Sequence, residues 1–201
     1  MLMTRTSRSL AALALLGASL AVLPGTAATA VDASSGRVAQ AVVRDAAGTV
    51  LGTIEFLQSR GRVTVAGRLT GLAAGFHGFH VHAVGICNPA ATDPNGTVVP
   101  FLSAGGHLNP GGASHGHHVG DLPVLSVAAD GRATTASDND QVNPAVLFDA
   151  DGSAVIVHAL PDNYANIPTR YSAAGVPGPD AATLATGDSG GRVACGVLAR
   201  G

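Results

Sequence analysis

After Ala30 the chain never holds apolar residues at helical spacing for a useful length, and this constrains the fold more than any other feature. Short apolar or alternating runs recur instead, separated by turn-forming residues. Val38 to Val43 stops before Asp45 and Gly48, Val50 to Leu57 before Arg60-Gly61, and Val63 to Leu69 before Gly71. Phe79 to Val84 follows. Leu122 to Ala128 turns at Asp130-Gly131, a hairpin signal, into Arg132 to Thr135. Ala145 to Phe148 reads as a further short strand, Ser153 to His158 as a buried one, and Arg192 to Leu198 closes the chain. The 27 Gly and 11 Pro supply enough turns to join many short strands. No internal repeat is visible. The pattern predicts one all-β domain, a sandwich or barrel of antiparallel strands.

The first thirty residues do not share this pattern. Arg5 and Arg8 precede an uncharged run from Leu10 to Leu23, which Pro24-Gly25 breaks and Ala28-Thr29-Ala30 follows. This is the three-part layout of a secretory signal peptide, and the run is shorter than the ~20 residues a bilayer span requires. There is no Arg pair before the run, as the twin-arginine route would need, and no Cys near the cleavage point. The expectation is a signal peptide over 1–30, cleaved after Ala30, and a single domain over 31–201. That domain would be secreted, periplasmic or in the cell envelope, with no membrane span. Losing Arg5 and Arg8 moves the formal net charge from -2 to -4. An acidic chain with 3% aromatic residues lacks the basic surface and stacking platforms of a nucleic-acid binder. Cys87 and Cys195 are the only cysteines, and outside the cytosol they are expected to form a disulfide. No interface motif is visible, so monomer and homodimer both stand.

Two stretches break the regular spacing of strands: Gly85 to Asp121 and Ala159 to Gly191. Loops this long in a compact domain usually carry function. All eight histidines lie between His77 and His158. His80 and His82 alternate with Val81, so on a strand both imidazoles project to one face while Val81 faces the core. His107, His115, His118 and Asp121 in the first long loop are three imidazoles and a carboxylate, the donor set of a closed tetrahedral zinc site. His117 competes with His118 for that place; the spacing His118-Val119-Gly120-Asp121 favours His118. His158 ends an apolar strand and joins the other histidines only if the fold brings it there.

Five segments, in order, resemble the copper/zinc superoxide dismutase family, in particular its secreted bacterial members. They are Gly78-Phe79-His80-Val81-His82 with Gly85, Ser103 to Pro110, His118 to Leu122, Val157-His158, and Gly190 to Val197. Together they cover most of Gly36 to Leu198. The resemblance implies a Greek-key β-sandwich or barrel of about eight antiparallel strands with two functional loops. It implies copper held by His80, His82, His107 and His158, and zinc held by His107, His115, His118 and Asp121, with His107 shared. Asp162 would link a copper histidine, His80, to a zinc histidine, His115. Cys87 and Cys195 match the family's disulfide. Arg192 would hold the substrate, the superoxide anion, beside copper. His77 would have a structural hydrogen-bonding role, and His117 would be a solvated neighbour. The segment Ala181 to Thr186 lacks the charges that several relatives place there, so attraction of an anion would rest on Arg192 and copper.

Two other readings compete. A secreted copper or zinc carrier on the same fold would keep the metal sites without turnover. A zinc hydrolase needs an open zinc position and a general base, usually Glu, and Glu55 is the only Glu in the chain.

Overall fold

The computed structural model describes residues 36–201. The expected signal segment lies outside the described residues. Within them the chain forms β1 (Gly36–Asp45), β2 (Val50–Ser59), β3 (Arg62–Leu69), β4 (Gly75–His77), β5 (Phe79–His82), β6 (Leu125–Val127) and β7 (Ala133–Asn139). Helix α1 (Pro144–Leu147), β8 (Ala154–His158), β9 (Ser172–Ala173), β10 (Val176–Pro177), α2 (Thr183–Thr186), β11 (Arg192–Val197) and β12 (Ala199–Arg200) follow. No helix among the described residues is long and apolar enough to cross a membrane.

The main sheet runs β4-β6-β7-β3-β2-β1-β11-β8-β5, with β12 paired to β1. Pairing of β3 with β7, β1 with β11 and β5 with β8, all antiparallel and distant in sequence, makes the connections Greek-key. Strands β4 and β5 stand at opposite ends of this order, yet only Gly78 separates them in the chain. The sheet is therefore rolled into a nearly closed barrel with Gly78 at the seam. The Gly78 N–H donates to Leu160 O and its carbonyl accepts from His158 N, both at 2.8 Å. A Cβ at Gly78 would lie 2.5 Å from Ser189 Cβ, so the seam has no room for a side chain.

Alternation places Ala39, Ala41 and Val43 of β1, Ile54 and Phe56 of β2, Val63 and Val65 of β3, and Phe79 and Val81 of β5 in the barrel core. Each large side chain buried there stabilises the fold by about 1.5–3 kcal/mol. Strand β8 is buried on both faces, which is why it reads as an unbroken apolar run. Val155 and Val157 face the barrel core. Ala154 and Ile156 face a second cluster containing Phe101, Ala104 and Cys195. The Cys87–Cys195 disulfide bounds that cluster and closes a sequence separation of 108 residues. A loop of that size corresponds to about 4–5 kcal/mol in the chain-entropy account.

Three local expectations need correction. Ala145 to Phe148 is not a strand: it lies in and just after α1. The Asn143 Oδ1 accepts from the Ala145 and Val146 N–H groups, and Pro144 occupies the first turn, where its missing N–H costs nothing. Pairing in the Leu122 run starts only at Leu125, after Pro123, which has no N–H to offer. Strand β7 continues past Thr135 to Asn139, because β3 offers partners along that whole length.

Candidate metal centre

Strand β5 organises the site. On its core-facing side are Phe79 and Val81; His80 and His82 project from the other. One edge of β5 pairs with β8 in the register His80↔Ile156 and His82↔Ala154. The other edge is taken by the first long loop, through bridges His80↔Asp121 and His82↔His107. Val81 N donates to Gly120 O and Leu108 N to Val81 O, both at 2.8 Å. Gly120 is required there, since a Cβ would collide with the Val81 carbonyl. Strand β8 in turn pairs with β11, setting Arg192 directly across from His158. Antiparallel pairing thus gathers residues from three strands and one loop.

Hydrogen bonds fix which ring nitrogen each histidine presents. His82 Nδ1 donates to Gly105 O at 2.9 Å and His158 Nδ1 to Gly190 O at 3.0 Å, leaving both Nε2 lone pairs free. These two Nε2 atoms lie 3.3 Å apart. His80 is turned the other way: its Nε2 donates to Asp162 Oδ2 at 2.7 Å, and its Nδ1 is buried without a partner. His115 repeats this arrangement, with Nε2 donating to Asp162 Oδ1 at 2.7 Å and Nδ1 buried without a partner. Two buried nitrogens without a hydrogen-bond partner, one at each end of the cluster, fit the coordination of two metal ions.

His80, His82, His107 and His158 present ligand atoms within 4.8 Å of one another, and so do His80, His107, His115 and Asp121. His107 therefore belongs to both groups. His80 does too, but its Nε2 is committed to Asp162, so its free nitrogen is Nδ1. On the second side Asp121 Oδ1 lies 3.0 Å from His107 Nδ1, 3.3 Å from His115 Nδ1 and 3.2 Å from His118 Nδ1. His118 Nδ1 is 3.3 Å from His107 Nδ1. Four ligands about 2.0–2.1 Å from a tetrahedral centre lie about 3.3 Å apart, so this spacing fits zinc. The other carboxylate oxygen, Asp121 Oδ2, is occupied by the Gly116 and His118 N–H groups. His117 is exposed and takes no part, whereas His118 is buried. His77 is a clip: its ring nitrogens meet His158 O at 2.7 Å and Ala73 O at 2.9 Å.

Burial lowers His80 to about 4, although its bond to Asp162 opposes this. Burial, with neighbouring rings, lowers His158 to about 3 and His82 well below its ordinary value. These rings are neutral at physiological pH, the state in which imidazole binds a metal. For His115 burial works against charge, but the carboxylates of Asp121, 3.3 Å from Nδ1, and Asp162, bonded to Nε2, outweigh it and raise the ring to about 9. A metal there must displace that proton, which couples metal binding to proton release. Burial would raise Asp121 and Asp162; hydrogen bonds from the histidines prevail and hold both well below the usual carboxylate range.

The sequence profile described as copper/zinc superoxide dismutase matches residues 50–198. The chain belongs to the copper/zinc superoxide dismutase family. A Cu-Zn superoxide dismutase of Mycolicibacterium paratuberculosis is 43% identical over 77% of this chain and 70% of its own. One from Deinococcus radiodurans is 34% identical over 77% of this chain and 80% of its own. Among solved structures, the Cu/Zn superoxide dismutase from Brucella abortus superposes with a TM-score of 0.59 at 29% identity, covering 79% of this chain and 97% of that one. A SOD-like protein from Bacillus subtilis gives 0.60 at 28%, covering 82% and 99%.

In this dismutase the first histidine group opens on a cavity of about 480 Å³, lined by His82, His107, His158, Thr186, Asp188 and Arg192 among others. Arg192 is held from behind: its guanidinium donates to the Phe101 carbonyl and to Gly105 O, the latter at 2.6 Å. Gly105 O thus orients both His82 and Arg192. Phe101 has a left-handed backbone, φ 62°, and its ring is buried in the disulfide-side cluster.

Two supporting residues escape a reading of the sequence. Gly187, φ +59°, sits so close to the Asp162–His115 bond that a Cβ would overlap Asp162 Oδ1 and His115 Nε2. Tyr164 gives a third hydrogen bond to Asp162, through its N–H at 2.7 Å. Its hydroxyl accepts from Val124 N at 2.8 Å, and its ring lies parallel to His115. The Gly at 187 follows a four-residue helix, α2, and a turn glycine after so short a helix carries no local sign of what it touches.

Proposed function

We propose that this chain dismutates superoxide to dioxygen and hydrogen peroxide, with His80, His82, His107 and His158 holding copper and His107, His115, His118 and Asp121 holding zinc. The observation that carries the assignment is the pair of buried, unpartnered Nδ1 atoms of His80 and His115, joined through the single carboxylate of Asp162. Copper would supply the one-electron exchange by which one superoxide is oxidised and a second is reduced, while redox-inert zinc would fix the geometry of its ligands. The protein does the rest. Arg192 binds the anion electrostatically at the mouth of the cavity and orients it toward the histidines. Asp121 and His118 hold His107 by its Nδ1 side, which leaves Nε2 on the cavity side. There Nε2 can hold one proton and give it to the reduced oxygen species, which takes its second proton from solvent and departs as hydrogen peroxide.

The test is superoxide consumption by purified 31–201, disulfide intact, loaded with zinc alone and then with one equivalent of copper. Fast turnover is expected only after copper. Tight copper binding without turnover would move the protein to the carrier class.

The disulfide and the bacterial relatives are compatible with export. The reading that residues 1–30 are a signal peptide, and 31–201 one exported domain, rests on the charged, apolar and small-residue sequence of that segment. Export from a bacterial host should yield a protein whose mass corresponds to cleavage after Ala30; full-length protein retained inside the cell would reject it.

A further inference from the structure

Two non-histidine side chains of formal charge line the cavity over the first histidine group, Arg192 and Asp188. They are not paired with each other. Arg192 spends its guanidinium on the Phe101 and Gly105 carbonyls. Asp188 is exposed, and its Oδ2 accepts from Asn163 Nδ2 at 2.7 Å and Thr183 Oγ1 at 3.0 Å. These bonds are to neutral groups, so they hold the carboxylate in place without cancelling its charge. No Arg or Lys other than Arg192 lines the cavity.

We propose that Asp188 is a specificity-determining residue of the dismutation reaction, a negative charge at the cavity rim that offsets Arg192 and slows capture of the superoxide anion. The proposal rests on the reading of this cavity as the anion's entry. For a reaction near the diffusion limit, the local field at the mouth sets the encounter rate. A unit charge about 10 Å from the anion's path changes its local concentration by about twofold in unscreened water. A neutral residue could make the same bonds. Asn tolerates the left-handed backbone that Asp188 adopts, φ 55°, as readily as Asp. Its Oδ1 can accept from both Asn163 and Thr183. The carboxylate is therefore not required by the loop's geometry, and its charge has a cost to the reaction that Asn would not impose.

Asp188→Asn should be compared with the parent enzyme at equal copper and zinc content. The measurements are kcat/KM for superoxide against ionic strength, and the affinity for azide, an unreactive monoanion, by calorimetry. At about 10 mM ionic strength, where the screening length is about 30 Å, the variant should be about twofold faster and bind azide about twofold more tightly. By about 1 M salt, where that length is about 3 Å, the two proteins should coincide. Equal rates at low salt would overturn the proposal. So would a gain that persists at about 1 M, which would mean a loosened loop rather than a removed charge. Thr183→Val removes a hydroxyl that Asp188 shares with Asp180 Oδ1 and keeps both carboxylates; a gain there as large as in Asp188→Asn would also overturn it. Arg192→Ala is the reference. Lost azide affinity there with none gained in Asp188→Asn rejects the proposal alone, and no change in either rejects the cavity as the entry path as well.

Discussion

Replacing His158 by Ala is expected to reduce superoxide turnover by more than about 100-fold while zinc stays bound at its original stoichiometry. His158 is the last residue of β8, and its Nε2 lies 3.3 Å from His82 Nε2 in the cavity-facing group. The other three members come from β5 and the first long loop, and His158 is the one that β8 contributes. The backbone bonds that close the barrel at this point, His158 N to Gly78 O and His77 Nδ1 to His158 O, use main-chain atoms that Ala retains. The proposed zinc residues His107, His115, His118 and Asp121 do not include His158 and should keep their mutual distances in the variant. Metal analysis with the activity assay checks the split. Full activity in the variant would remove His158 from the copper set, and joint loss of both metals would mean that the two groups are not separable as described.

What the sequence made legible was local, and what it hid was long-range. The alternation His80-Val81-His82 needs only strand geometry to place two imidazoles on one face. Asp130-Gly131 needs only turn chemistry to give the β6–β7 hairpin, where Gly131 has φ 78°. The choice between His117 and His118 turned on a short spacing, and the structure separates them by burial and by the His118 N–H donating to Asp121 Oδ2. By contrast, nothing near Arg192 says that it faces His158. That follows from the β8–β11 register, which the whole barrel determines. The joining of the histidines around Asp162, and the role of Gly187 against it, depend on the second long loop folding back over the first. The loop's own signals are turns, a two-residue hairpin pair and a four-residue helix, which fix local shape but not destination. The misread segment, Ala145 to Phe148, failed for a local reason: Asn143-Pro144 is a helix-start signal that outweighed a β-like composition.

Substituting Asp162 by Asn should weaken metal binding by about 10–100-fold on at least one side of the centre, although Asp162 belongs to neither ligand group. The carboxylate accepts at both oxygens, so His80 and His115 can both donate from Nε2, and a metal can take the Nδ1 of each, at His115 by displacing its second proton. An Asn side chain accepts at its oxygen but donates at its nitrogen. One of the two imidazoles must then accept at Nε2, which moves its proton to Nδ1 and blocks the atom aimed into the site. The loss of negative charge adds to this, because the raised affinity of His115 for a proton reflects the same carboxylates that would favour a cation. Metal competition titrations on the variant, read without any activity assay, should show one weakened and one near-normal affinity. Gly187→Ala offers an independent check, since its Cβ would push into the same hydrogen bond from the loop side without altering any donor or acceptor. It should weaken the zinc side in particular, because the overlap falls on His115 Nε2 as well as on Asp162 Oδ1. Unchanged affinities in both variants would mean that the carboxylate merely fills space between the two histidines and does not set their tautomers.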